Sequence, residues 1–92
     1  MLAVDTDLVV RLLTNDDRAQ TRRAVAVFAA NEVFLPKTVL LETEWVLRHA
    51  YRLERADILR GLLGVLGMPR VVAEDAPNVS VALDGYERGL DF

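Results

Sequence analysis

Two acidic residues, Asp5 and Glu42, stand where this sequence could do chemistry. Asp5 follows the apolar run Leu2-Ala3-Val4 and leads directly into Thr6-Asp7 and a helical apolar pattern from Leu8 to Leu13. A buried strand ending in a carboxylate delivers that group to the edge where open parallel sheets hold their ligands. Spacing alone favours a cap or turn residue at the start of the helix that follows, the commoner use of such an aspartate, with a metal ligand at the sheet edge as the alternative.

Glu42 lies in a second helical pattern, from Lys37 or Thr38 to Tyr51. At about 100° per residue, Val39, Val46, Leu47 and Ala50 fall on one side, flanked by Leu40 and Tyr51. This places Glu42 at the border of the apolar face, half buried and in need of a partner. Catalysis would supply one, and so would an arginine such as Arg11 or Arg60. Glu44 instead projects toward Arg48, where an i,i+4 ion pair is sufficient. Asp7 reads as a helix cap, with a third oxygen donor as the alternative, and Asp84 as a solvated mid-helix acid. His49 reads as a boundary residue, and Trp45 and Tyr51 as packing against a neighbouring helix or subunit. Ten of the eleven basic residues are arginines, scattered without a run; most read as ordinary helix-face charges and none stands out as a substrate contact, Arg11 and Arg48 coming nearest to one.

The elements that must position these groups alternate in the manner of a parallel α/β sheet. Strands are expected at 2–5, 33–35 and 70–73. Helices are expected from Thr6 or Asp7 to Thr14-Asn15, over 18–30 with Asp16 or Asp17 as cap, over 37–51, and over 55–66 with Gly61 and Gly64 weakening it. The last runs from an Asp75 cap, with Pro77 in its first turn, to a stop at Gly89. Repeats, linkers and low-complexity segments are absent.

At 92 residues, 52% hydrophobic and 27% charged, the chain is expected to form one small globular domain. A net charge of −3 argues against gripping nucleic acid through bulk positive charge, although a metal ion can supply that charge locally. The sequence has no cysteine and one histidine, which excludes disulfides and thiolate sites and disfavours a His-rich zinc site. With no signal peptide and no membrane span in view, a cytoplasmic protein is expected.

Val4-Asp5-Thr6-Asp7-Leu8-Val9-Val10-Arg11-Leu12-Leu13 and Leu41-Glu42-Thr43-Glu44-Trp45-Val46-Leu47-Arg48 resemble the first two motifs of PIN-domain toxins of the VapC type. The closing Gly89-Leu90-Asp91-Phe92 resembles the lead-in to the third, and the three segments occur in order. The resemblance implies a three-layer α/β/α sandwich on a parallel sheet and a Mg²⁺- or Mn²⁺-dependent endoribonuclease of a toxin–antitoxin module. It implies an RNA substrate of the tRNA or rRNA class, a small antitoxin partner and a homodimer, with Asp5 and Glu42 as the first two metal-binding acids. Where this chain has Asp7, the family usually has asparagine or serine. The family's third and fourth acids lie beyond its Gly-x-Asp-Phe lead-in, so the resemblance implies a domain lacking its last strand and helices. Asp91 precedes the third position and is not its equivalent. A catalytically impaired remnant that binds an antitoxin or dimerises is the alternative. A phosphoacceptor receiver domain is set aside, because the later acid lies on a helix and Lys37 is the only lysine.

Overall fold

The structure, a computed structural model, describes residues 1–92. Three short strands, β1 (Leu2–Ala3), β2 (Val33–Leu35) and β3 (Val71–Ala73), alternate with five helices: α1 (Thr6–Thr14), α2 (Arg18–Ala30), α3 (Lys37–His49), α4 (Arg55–Leu66) and α5 (Ala76–Glu87). The strands form one parallel sheet in the order β1-β2-β3, with Leu2 opposite Val33 and Val33 opposite Val71. The molecule is therefore mixed α/β. No helix is long and apolar enough to cross a membrane.

Parallel strands need crossover connections, and here helices supply them. Val33 and Leu35, on one face of β2, are both fully buried. Phe28 of α2, Leu40 and Leu47 of α3, Ile58 and Leu62 of α4 and Leu83 of α5 complete the same core. Gly61 faces Leu13 of α1, and a Cβ added there would meet that side chain at an ordinary contact distance of 3.4 Å.

Local chemistry sets most helix ends. Asp17 caps α2 by accepting from the Gln20 amide at 3.1 Å, and Asn15 closes α1 in the left-handed conformation at φ 52°. Gly89, at φ +96°, ends α5: its N–H donates to the Tyr86 carbonyl and the Leu90 N–H to the Gly85 carbonyl. That hydrogen-bond pair is a Schellman motif.

Several boundaries differ from the sequence expectation. Strand β1 stops at Ala3, and α3 stops at His49. Of the three residues offered as caps for α1, Asp5 is the N-cap, as its capping reading expected, and neither Thr6 nor Asp7 fills that role. Asp7 leans on Arg11 instead, at 3.6 Å. Asp75 makes no side-chain cap on α5, because its carboxylate is taken by Lys37 Nζ at 3.0 Å and Asn78 Nδ2 at 2.8 Å.

Candidate functional site

Asp5 leaves β1 in extended conformation (φ −94°, ψ 171°) and turns the chain into α1. Its Oδ1 accepts from the Leu8 amide at 2.9 Å. Thr6, the first residue of α1, donates its hydroxyl to Glu42 Oε2 at 3.3 Å. This contact spans 36 residues and joins the start of α1 to the second turn of α3. The two helices run side by side from there, and at their far ends Tyr51 Oη donates to Asp16 at 2.9 Å. Asp5 and Glu42 therefore belong to one region, reached through Thr6.

Both carboxylates are exposed, and neither forms an ion pair with a cationic side chain. The half-buried position expected for Glu42 is overturned. The face of α3 that is buried centres on Leu40, Thr43 and Leu47, with Val39 and Glu44 at its margins, whereas Ala50 is exposed. Counting only apolar side chains rotates that face toward Val46 and Ala50. Neither arginine expected as a partner for Glu42 reaches it: Arg11 lies between Asp7 and Asp16, and Arg60 pairs with Asp57. Arg48 also stays within the chain, on Glu44.

Glu44 is the carboxylate the helix buries, with only 5% of its surface exposed. It accepts from Arg48 Nε at 2.7 Å, Arg48 Nη2 at 3.3 Å and Tyr86 Oη at 3.0 Å. The Arg48 pair is legible from spacing, but nothing local marks Tyr86, which α5 brings in from 42 residues away. Burial, and then the hydrogen bond to the Glu44 carboxylate, push the Tyr86 phenol up to about 12. Arg55 lies over the same ring, 4.2 Å from its centroid. Chiefly through its bond to Glu44, with Asp91 a lesser contributor, Arg48 holds its proton more tightly than usual. Asp91 thus exerts its field on Arg48, and Asp84 is exposed, as expected.

Trp45 and Tyr51 part company. Tyr51 packs partly against the core and bonds Asp16, whereas Trp45 is 57% exposed and touches His49, with ring centroids 4.7 Å apart. At the carboxyl ends of β2 and β3, Glu74 accepts from the Lys37 amide at 2.8 Å and so caps α3 from another strand. The neighbouring Lys37–Asp75 pair draws the two groups toward their charged forms: the bond to Asp75 raises Lys37, and Asn78 followed by Lys37 lowers Asp75.

No group of three or more His, Asp or Glu side chains converges in a way that could hold a metal ion. Asp5 and Glu42 offer hard oxygen donors without a competing cation, which suits a hydrated divalent ion such as Mg²⁺; that ion commonly takes one or two carboxylates and fills its shell with water and phosphate oxygen. Compared with protein-family models, curated proteins and solved structures, the chain matches none.

Proposed function

We propose that this chain is a metal-dependent endoribonuclease of the PIN-domain toxin type, hydrolysing RNA phosphodiester bonds with Mg²⁺ or Mn²⁺ held by Asp5 and Glu42. On this reading the α/β fold is the three-layer sandwich of that family. The protein works in the cytoplasm as a homodimer silenced by a small antitoxin. The observation that carries the proposal is the Thr6–Glu42 hydrogen bond, which ties the two motif acids to one exposed region where neither is neutralised. The ordered motif resemblance supports the choice of reaction.

The roles follow from the contacts. Asp5 Oδ1 is committed to the Leu8 amide, which fixes the carboxylate and leaves its second oxygen for a ligand. Thr6 holds Glu42 Oε2, which fixes that carboxylate and leaves Oε1 as the oxygen that would share the cation with Asp5. When bound, a divalent cation here supplies Lewis-acid polarisation of the phosphoryl group and a more acidic water.

The test is cleavage of structured RNA with and without Mg²⁺ or Mn²⁺, beside Asp5→Asn and Glu42→Gln. Metal-dependent cleavage that falls by about 10²-fold or more in either variant supports the reading. Equal residual cleavage in all three proteins would sink it. The two-carboxylate site, without a third converging acid, favours a second reading: a PIN-like module that binds its partner protein without turnover. Partner binding with no cleavage by the parent chain selects that one.

A further inference from the structure

Helix α3 carries a second feature on the side that bears Glu42. At about 100° per residue, Trp45 lies about 60° from Glu42 and His49 about 20° from it, so the three form one stripe along the helix. All three are exposed, with Trp45 at 57%. The Trp45 and His49 rings meet at 4.7 Å with their planes 39° apart, so the imidazole braces one side of the indole. The opposite half of the helix is occupied by the core through Leu40, Thr43 and Leu47. A carboxylate that Thr6 joins to Asp5 is thus followed, one helical turn on, by an aromatic surface open to solvent.

Residues three apart on a helix have Cβ atoms roughly 5–6 Å apart. A nucleotide whose phosphate sits at Asp5 and Glu42 places its own or its neighbour's base at about that remove. Aromatic faces bind unpaired bases by stacking, whereas bases inside a duplex have their faces covered. A chain of net charge −3, lacking a run of basic residues, needs such an uncharged contribution to hold RNA.

We propose that Trp45, braced by His49, is a stacking subsite for an unpaired RNA base next to the scissile phosphate. The occupant is thereby single-stranded or looped RNA, and the inference rests on the reading that the chain acts on RNA. Continuity of the stripe with the candidate carboxylate site selects a base over a protein partner.

Trp45 is the only tryptophan, so intrinsic fluorescence reports this position alone. The experiment titrates the full chain, with Ca²⁺ in place of Mg²⁺ or Mn²⁺ so that a cation is present while turnover is suppressed, with an unstructured oligoadenylate RNA and separately with a blunt RNA duplex. Saturable quenching by the single strand and little by the duplex is expected. With fluorescein-labelled single strand, anisotropy should show Trp45→Leu binding about tenfold more weakly, the size of one lost stack, with Trp45→Phe retaining most of the affinity. In metal-supported cleavage the same loss should appear in KM and not in kcat.

Unchanged RNA affinity in Trp45→Leu would overturn the proposal, as would equal quenching by duplex. A shift from dimer to monomer in sedimentation, with RNA affinity intact, would make Trp45 a protein contact. Single-strand binding that needs Trp45, in a protein that cuts nothing, would leave the subsite standing while the nuclease reading falls. Cleavage that needs Asp5 and ignores Trp45 does the reverse. Absence of any RNA binding sinks both.

Discussion

Asp5 has one observed task, capping α1, and one proposed task, holding a metal ion, and the two respond differently to substitution. Its Oδ1 caps α1 through the Leu8 amide, and its charge is half of the candidate metal site. Asparagine caps about as well as aspartate, so Asp5→Asn should melt close to the parent chain yet lose metal-dependent cleavage. Asp5→Ala should lose the same activity and, in addition, about 1 kcal/mol of stability. Paired thermal denaturation and cleavage assays on the two variants separate the roles. A stability loss in Asp5→Asn equal to that in Asp5→Ala would show that the charge itself holds the helix.

At the scale of elements, the Glu44–Tyr86 hydrogen bond is the polar tie between α3 and α5. The Tyr86 phenol titrates near 10 when free and is pushed up to about 12 in the fold. The folded state keeps the proton more tightly, so this contribution is intact below pH 10 and disappears as pH rises through about 12. Denaturant midpoints should therefore fall across that alkaline window in the parent chain. Tyr86→Phe should flatten this fall and, at neutral pH, cost about 1.5–3 kcal/mol for the lost bond to a buried carboxylate. An unchanged alkaline slope would place its origin elsewhere. The α5 terminus gives a second test. Gly89 sits at φ +96°, and a Cβ added there would have nothing within 4 Å, so Gly89→Ala meets no clash and costs only backbone strain. A loss of about 1 kcal/mol in chemical denaturation is expected; no loss would mean the Schellman turn contributes little.

For the whole molecule, a 92-residue chain has a thin reserve of stability. Leu62 of α4 is fully buried in the single core that the sheet and all five helices share. Leu62→Ala should cost about 2–5 kcal/mol, a large part of the roughly 5–15 kcal/mol typical of a domain. Urea denaturation should show the midpoint shifted far down or the transition lost. A shift worth under about 1 kcal/mol would mean the surroundings collapse into the gap. Strands β1 and β3 each pair only with β2, so neither outer edge of the sheet carries a further strand.

Amino-acid order by itself determined the elements and their sequence. Capping residues, apolar periodicity and glycine stops are local signals, so α2, β2 and α4 lie where the residues place them, and Gly89 ends α5. The same local logic placed Asp5 at the strand–helix junction and Glu44 beside Arg48. Tertiary structure alone decided which side of α3 is buried, because that depends on partners far away in the chain. Tyr86 and Arg48 make burial of Glu44 tolerable, so the helix turns Glu44 inward and leaves Glu42 exposed on Thr6. Periodicity counts apolar side chains and cannot count a carboxylate that Arg48 of its own helix and Tyr86 of another together satisfy. That rotation also turns Trp45 out to solvent.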